Sequence, residues 1–333
     1  MILNTQYKRI LLGALFATCF SAGSWAQSTV STPVVGFQKT VLAQGFNALG
    51  FPLVKAPVLT TTTAASVSGS TISLSASIPG TESASNAYYL EVTSGAKEGE
   101  RVDVAVTPGS PTVSIVAGSA NNTSSLSGLS SGTSVAIRRH LTLQDLDNAI
   151  SPAVVQNDNP MAADRVYVFS AGAFIYYYKA SDGVWYESGG LDDMSGLQIN
   201  PGSGVLIFKV NSTASSITMS GTVRANKFAR NYGAGYQTYA PAYPVAYSPN
   251  SMGANSWYGN ADSTIADKIM PFTGGAFLQF YLDSTDATGS PTGTWYESGG
   301  LDPQNTVNLV GSDKTALVYR KNTDAVVESS PVN

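Results

Sequence analysis

The octapeptide WYESGGLD occurs twice in this chain, at residues 185–192 and at residues 295–302, with all eight residues identical. Each copy combines two aromatic side chains, two carboxylates and a Gly-Gly pair. Such a segment can end a strand and form the turn that follows it, or it can be a small binding or catalytic cassette that is used twice. The rest of the sequence has to discriminate between these interpretations.

The pattern of the octapeptide favours an architectural role. Successive side chains of a strand point to opposite faces, so Trp185 and Glu187 are expected on one face and Tyr186 on the other. A large tryptophan ring can fill the core of a small sheet. Gly189-Gly190 can supply the positive φ angle that a tight turn requires.

The repeat extends well beyond the octapeptide. Residues 163–169 (ADRVYVF) align with residues 266–272 (ADKIMPF), and at the same offset GAFIYYY at 172–178 aligns with GAFLQFY at 275–281. Further pairs align more loosely: GVLIFK at 204–209 with TALVYR at 315–320, and Gly45-Phe46 with Gly235-Tyr236. Two copies are too few for a solenoid, so they indicate an internal duplication.

The duplication predicts two sequential modules, at residues 27–219 and 220–333. The first module carries an insert at about residues 60–145 that the second lacks. The second module instead has a longer polar loop at residues 283–293, before WYESGGLD returns.

Nearly every apolar segment has the character of a strand. Residues 88–93 (YYLEVT) and 101–106 (RVDVAV) flank a glycine-containing turn, which predicts a hairpin. Residues 166–169 and 174–179 are rich in aromatic and β-branched side chains, which suit a half-buried pleated surface. The tyrosine-rich tract at 232–247 contains two prolines and is expected to be extended rather than helical.

A single short helix is predicted near residues 143–150. Thr142 can cap its N-terminus with Asp145 at position N3, and Leu143 and Leu146 share one face. The sequence therefore predicts an all-β protein of two β-sandwich or barrel-like modules with this one helix.

The N-terminus has the features of an export signal. Lys8 and Arg9 precede an apolar run at residues 10–20, and small residues precede a cleavage site after Ala26. Cleavage removes Cys19, the only cysteine, so no disulfide is expected in the mature chain. No other segment approaches the ~18 apolar residues of a membrane span. The expected location is the periplasm, the cell surface or the extracellular space.

A series of short motifs runs in a fixed order along the first copy. In chain order they are residues 33–37 (PVVGF), 88–95 (YYLEVTSG), Glu98-Gly99, 137–143 (IRRHLTL), 163–166 (ADRV), the strand at Trp185 and residues 201–204 (PGSG). This order resembles an uncharacterised family of exported bacterial paralogues of the verrucomicrobial type, over residues 33–209. The resemblance implies export and a β-rich module, and it supplies no catalytic residues. The second copy departs from it by lacking the insert and the PGSG turn.

Catalysis has little support in the sequence. His140 is the only histidine, which excludes a histidine-built metal site; it is expected to be a half-exposed packing residue. Residues 128–132 match G-x-S-x-G, but they lie in a Ser/Gly-rich loop without the acid that a triad needs between serine and histidine. We expect no enzyme activity, no cofactor and no metal site.

The favoured function is therefore a non-catalytic structural or interaction protein that is exported. The alternative is a carbohydrate-binding module, whose ligand contacts would be Trp185, Tyr186, Glu187, Trp295, Tyr296 and Glu297. A more distant alternative is a glycoside-active enzyme that uses the paired carboxylates of each octapeptide. Cell-surface polysaccharide and other envelope proteins are the expected partners. Charged residues make up only 12% of the chain and no basic cluster exists, so nucleic acid is not an expected partner.

Overall fold

A computed structural model describes residues 34–284 and 293–331. The predicted export signal at residues 1–26 lies outside these residues, as does most of the polar loop after Asp283. The described part of the chain is built from strands, with one α-helix, and this confirms the all-β class. Within it, no helix has the length and apolar character needed to cross a membrane.

The insert of the first copy forms a closed six-stranded barrel. In order around the barrel its strands are β4 (Leu59–Ser68), β5 (Thr71–Leu74), β8 (Thr112–Ile115), β7 (Arg101–Val106), β6 (Tyr88–Val92) and β9 (Ser134–Arg139). The predicted hairpin is present, with Tyr88 opposite Val104. Aliphatic side chains from all six strands fill the barrel, among them Ile72, Leu90 and Ile137, none of which is exposed.

Two antiparallel sheets, one of five strands and one of six, contain the repeated sequences, and five strands of each follow one continuous order. Sheet I has the order β14 (Trp185–Glu187), β13 (Ala173–Lys179), β12 (Arg165–Ser170), β16 (Gly204–Lys209), β2 (Gly45–Gly50). Sheet II has the order β23 (Thr294–Glu297), β22 (Phe280–Asp283), β20 (Lys268–Thr273), β24 (Ala316–Arg320), β19 (Gly235–Tyr239), and β21 (Ala276–Phe277) also pairs with β20. Numbered along the chain with β21 left out, the strands of both sheets follow the order 4-3-2-5-1.

Shorter ribbons close each sheet over a hydrophobic core. Beside sheet I, β1 (Val35–Leu42) pairs with β17 (Ser215–Val223), which also pairs with β3 (Leu53–Val54) and β11 (Ile150–Ser151), while β10 (Leu141–Thr142) pairs with β15 (Gln198–Ile199). Beside sheet II, β18 (Phe228–Tyr232) pairs with β25 (Asp324–Glu328). Two 3₁₀ turns, Pro160–Ala162 and Ala254–Ser256, complete the elements. The predicted module boundary between residues 219 and 220 falls inside β17.

The helix α1 (Leu143–Ala149) is present where the sequence predicts it. Thr142 and Asp145 form a capping box: the Asp145 amide donates to Thr142 Oγ1 over 3.3 Å, and the Thr142 amide donates to Asp145 Oδ2 over 2.8 Å. Leu143 and Leu146 are buried in the core beneath sheet I. The helix ends where Ile150 turns into the short strand β11.

The repeated Ala-Asp pair at the start of β12 and β20 has a structural cause. Asp164 and Asp267 are both buried, and each pairs with the cation that ends the neighbouring strand, Lys209 in sheet I and Arg320 in sheet II. Each carboxylate also accepts two backbone amides, from residues 155 and 210 in the first copy and from residues 258 and 321 in the second. A buried charge is tolerated when it is paired and hydrogen-bonded in this way.

The two sheets differ where Pro271 stands in β20. In sheet I the corresponding strand β12 pairs without interruption along β13. In sheet II the Leu278 amide donates to the Pro271 carbonyl over 3.0 Å, but proline has no N–H to return. The ladder is broken there, so one strand of the first copy corresponds to the two segments β21 and β22 of the second.

Glycines allow the sheets to approach each other closely. A Cβ atom on Gly204 would lie 2.3 Å from Thr315 Cβ, and one on Gly50 would lie 2.3 Å from the Lys314 carbonyl oxygen. Gly202 has a φ of 81°, and its carbonyl accepts hydrogen bonds from the Ala240 amide and from Arg230. The PGSG turn of the first copy is therefore a contact between the two halves of the chain.

Replacing Ala171 by glycine is expected to stabilise the fold. The β12–β13 hairpin closes through Ala171 and Gly172, whose φ angles of 50° and 86° define a two-residue turn with both central residues left-handed. The corresponding residues of the second copy are both glycine. A left-handed alanine costs about 1–2 kcal/mol, partly offset by the larger backbone entropy that glycine loses on folding. We expect the free energy of unfolding to rise by about 0.5–1 kcal/mol, measured by urea denaturation.

The matched control is the same substitution two residues further along. Ala173 is exposed in β13, where glycine is expected to lower the free energy of unfolding by about 0.5–1 kcal/mol. Equal shifts for Ala171→Gly and Ala173→Gly would contradict the assigned strain.

Candidate functional site

The tryptophans of both octapeptides are buried. Trp185 and Trp295 are 0% exposed, and each lies in the core beneath its own sheet. Trp295 also packs edge to face on Trp257, with the ring centroids 5.8 Å apart. A ring in this position has no face that a sugar from solvent can reach. The burial favours the architectural interpretation of WYESGGLD over a tryptophan stacking platform.

The turn after each tryptophan strand also has the expected conformation. Gly189 and Gly299, the first glycine of each pair, have φ angles of 80° and 86°. The following leucines, Leu191 and Leu301, project from the turns and are 92% and 91% exposed. Glycine is required at the first position because other residues rarely adopt such a φ angle.

The tyrosines of the octapeptides lie on the opposite, outward face of each sheet. Tyr186 is the cross-strand partner of Tyr178, with ring centroids 6.3 Å apart at 43°. In sheet II, Tyr296 is the partner of Tyr281 at 6.4 Å and 42°. On the core side, Glu187 lies opposite Tyr177 at the edge of sheet I. Glu297 takes the corresponding place opposite Phe280 and is exposed.

These tyrosines begin a row of side chains that crosses the five continuous strands of each sheet. The strand registers place one residue of each of these strands side by side, and the rows of the two sheets occupy equivalent positions. We name them aromatic row I, which is Tyr186, Tyr178, Arg165, Phe208 and Phe46, and aromatic row II, which is Tyr296, Tyr281, Lys268, Tyr319 and Tyr236. Each row has four aromatic rings with a cation at its centre.

The central cation of each row lies against an aromatic ring. Arg165 Cζ is 4.4 Å from the Phe208 centroid, and Lys268 Nζ is 5.0 Å from the Tyr319 centroid. A cation within about 6 Å of a ring face is attracted by the ring quadrupole. In both sheets this ring also contacts the next ring of the row. The ring centroids of Phe46 and Phe208 are 4.9 Å apart, and those of Tyr236 and Tyr319 are 5.0 Å apart.

Both central cations are largely removed from water. Arg165 is 6% exposed; its Nη1 contacts the Met161 sulfur at 3.1 Å, and its Nε has no hydrogen-bond partner in the described part of the chain. Lys268 donates to the Thr264 carbonyl over 3.1 Å. Burial lowers the pKa of Lys268, and the charge of Asp262 partly opposes this shift. The rings replace part of the hydration that these cations lose.

The outer ends of the rows are the most accessible. Phe46 is 41% exposed and Tyr236 48% exposed. The outward faces of the two sheets also contact each other, since Phe46 lies 6.2 Å from Phe272 and Phe174 stacks on Phe277 at 6.3 Å. The two rows therefore line neighbouring faces that meet through phenylalanines.

The residues of both rows can be found in the aligned sequences, but the sequence does not show that they lie side by side across the strands. All five pairs occupy aligned positions of the repeat, for example Arg165 with Lys268 and Phe208 with Tyr319. The recurrence of an aromatic or cationic side chain at the same position in both copies was the signal that could have indicated a shared surface. Of the six candidate binding residues, the structure brings Tyr186 and Tyr296 into the rows and places Trp185 and Trp295 in the cores.

The residues weighed for catalysis do not form a triad. His140 is 1% exposed, so the expectation that it is half-exposed was wrong. Its Nε2 lies 2.8 Å from Asp103 Oδ1, and its ring packs on Tyr89. Hydrogen bonds from His140, Ser119 and Asn121 keep the pKa of Asp103 below its usual range, although burial opposes them. Ser130 is exposed in the loop between β8 and β9, which is not the strand-turn-helix of a nucleophile elbow.

Comparison with known proteins gives no relative: no family model, no curated protein and no solved structure matches the chain. The fold and the site themselves define an all-β protein with a closed barrel and two sheets of equal topology, each with an aromatic row on its outward face.

Proposed function

We propose that this chain is an exported, non-catalytic interaction protein of the cell surface or periplasm that binds its partner through aromatic rows I and II. The observation that carries the proposal is the recurrence of ring, ring, cation, ring, ring on the outward faces of two sheets. The row residues lie outside the hydrophobic cores beneath the two sheets. Part of their recurrence serves the contact between the sheets, and the exposed rings Phe46 and Tyr236 support a shared surface role as well.

Cell-surface polysaccharide is the partner that the rows fit best. Adjacent strands lie about 4.8 Å apart, so a row across five strands spans about 19 Å. A chain of sugar rings can lie along such a row with its apolar faces on the tyrosines. Tyrosine rings combine apolar area with a hydroxyl that can donate and accept hydrogen bonds. In this form the carbohydrate-binding alternative depends on Tyr186 and Tyr296 and not on the tryptophans.

We further infer that the two sheets arose by an internal duplication. Three independent features support this inference: the common strand order, the buried aspartate beside a strand-ending cation, and the aromatic rows. Export is supported by the charged, apolar and small-residue segments of the N-terminal 26 residues.

Removing the first ring of each row is expected to weaken polysaccharide binding. The variant carries Tyr186→Ala and Tyr296→Ala, and binding is measured by affinity electrophoresis through gels that contain soluble cell-wall polysaccharides. Each ring is expected to contribute about 0.5–1.5 kcal/mol, so the loss of two should lower affinity about tenfold.

The control variant carries Leu191→Ala and Leu301→Ala. These leucines belong to the same octapeptides and are more exposed, but they lie in the turns, off the rows. The control should migrate like the unmodified protein. Equal retardation of the tyrosine variant and the unmodified protein would rule out the rows as the binding surface.

A further inference from the structure

A polar cleft opens where the barrel, sheet I and the β18–β19 segment meet. Its volume is about 470 Å³, within the range of about 300–1,000 Å³ that small-molecule sites occupy. Arg101 and Asn121 line it from the barrel side, Phe169 and Gln198 from the side of sheet I, and Arg230 and Tyr236 from the β18–β19 segment. Three parts of the chain that are distant in sequence thus contribute to one site.

The chemistry of the cleft is unusual for a protein with more acidic than basic residues. Its walls carry two arginines, several amides and hydroxyls, and two accessible aromatic rings. Within the described part of the chain, no aspartate or glutamate lines the cleft. Amide and hydroxyl groups suit the many hydroxyls of a sugar. Of the two guanidinium groups, Arg230 pairs with Glu328 behind the wall, so the positive charge of the cleft comes mainly from Arg101.

Arg101 supplies the charge that no carboxylate neutralises directly. It is 4% exposed, and its Nε donates to Asn121 Oδ1 over 3.1 Å while Nη1 donates to the Ala229 carbonyl over 2.6 Å. Both acceptors are neutral. Neither of these hydrogen bonds uses Nη2, which we assign as the donor for a ligand. Arg101 Cζ lies 4.0 Å from the centroid of the Phe228 ring, and this contact fixes the orientation of the guanidinium group.

The surroundings of Arg101 hold it in place through neutral acceptors rather than through a direct ion pair. Asp103, the nearest acid on the same strand, is already engaged by Asn121 over 2.6 Å and by His140. Loss of hydration and repulsion from Arg230 lower the pKa of Arg101 to about 9, although attraction from Glu328 and Asp103 opposes them. The group is therefore still a cation at neutral pH, and an anion beside it would relieve part of the cost of its burial.

Arg230 has a different role in the same wall. It pairs with Glu328 at 3.0 Å and donates to the carbonyls of Gly202 and Ala240, so its three nitrogens are all engaged. Arg230 shapes the cleft, and Arg101 is the group that can take a ligand.

We propose that this cleft binds an acidic saccharide, with the sugar carboxylate on Arg101, the hydroxyls on the amides and the ring against Tyr236. Tyr236 also ends aromatic row II, so the cleft continues the surface described above. The inference rests on the proposed polysaccharide-binding role and names its ligand class.

The test compares two ligands of equal length by isothermal titration calorimetry on the mature protein. The trimer of galacturonic acid carries carboxylates, and the matching trimer of galactose does not. We expect the acidic trimer to bind at least tenfold more tightly, and Arg101→Gln to reduce this preference to less than threefold. Equal binding of the two trimers by the unmodified protein overturns the acidic class, and so does the absence of any binding.

A second variant keeps the test decisive if Arg101→Gln does not fold. Gln198 is exposed at the rim of the cleft, so Gln198→Glu places a carboxylate there without disturbing a core. It should weaken the acidic trimer about tenfold and leave the neutral trimer unchanged, and equal effects on both would overturn the proposal. A triglutamate peptide that binds as tightly as the acidic trimer would overturn the saccharide class.

The two proposals can fail separately. Tyr186→Ala with Tyr296→Ala removes rings that do not line the cleft. If that variant loses polysaccharide binding while the acidic trimer shows no preference, the aromatic rows remain and the acidic site is wrong.

Discussion

Glu91→Gln is expected to lower the free energy of unfolding by about 3–5 kcal/mol, the usual cost of removing one partner from a buried ion pair. Glu91 is 0% exposed on the outside of the barrel wall. Its Oε2 lies 3.2 Å from Arg138 Nε, its Oε1 pairs with Arg224, and Asn226 donates to Oε1 over 3.3 Å. One carboxylate therefore balances two buried guanidinium groups.

The large effect follows from the burial of both arginines. Loss of hydration lowers the pKa of Arg138 and of Arg224, so both cations are costly to bury. Glu91 is the carboxylate that pairs with both of them. Glutamine has nearly the volume of glutamate but no charge, so the substitution isolates the electrostatic contribution. Arg138 belongs to the barrel and Arg224 to the segment after β17, so the same change should also loosen the barrel from the rest of the chain.

Glu98→Gln is the matched control. Glu98 pairs with Lys227 at 3.8 Å, across the same contact between the barrel and the second half, and the Lys227 side chain is 49% exposed. Pairs of this kind contribute about 0–1 kcal/mol because water screens them. Chemical denaturation followed by circular dichroism measures both variants. The assignment fails if the two substitutions cost the same.

The burial of Glu91 illustrates what the sequence does not contain. In YYLEV the glutamate alternates with core residues, a pattern that predicts a solvent-facing side chain. The β6–β7 hairpin was predicted correctly, because it depends on neighbouring strands and a local turn. The cover over Glu91 comes from Arg224 and Asn226, more than a hundred residues later in the chain. No pattern among neighbouring residues predicts that contact or the pairing of β4 with β9 that closes the barrel.

The aromatic rows show which strand registers can be predicted from the sequence and which cannot. Once the two-residue turn at Ala171–Gly172 is assigned, the register of the hairpin follows, and Arg165 must face Tyr178. That half of row I could be predicted from the sequence. The pairing of Arg165 with Phe208, and of Phe208 with Phe46, depends on strands far apart in the chain. No turn fixes those registers, so the complete row emerges only from the fold.

Trp185→Ala and Trp295→Ala are each expected to lower the free energy of unfolding by about 3–5 kcal/mol, the usual cost of removing a large buried aromatic side chain. Both rings are 0% exposed; Trp185 packs in a mainly aliphatic core and Trp295 in a core rich in aromatic rings. Chemical denaturation followed by circular dichroism measures the loss. Iodide should not quench the tryptophan fluorescence of the mature protein, from which the predicted cleavage removes Trp25, since Trp257 is also only 4% exposed.

The adjacent tyrosines provide the contrast that makes this prediction specific to the motif. Tyr186→Ala and Tyr296→Ala remove half-buried rings from cross-strand pairs, which contribute about 0.2–1 kcal/mol each. They should therefore reduce binding and leave stability nearly unchanged, whereas the tryptophan variants should do the reverse wherever they fold. A tyrosine variant as unstable as its tryptophan neighbour would show that both faces of WYESGGLD serve the core. Loss of stability in the tryptophan variants and loss of binding in the tyrosine variants would show that each octapeptide serves the core through its tryptophan and the surface through its tyrosine.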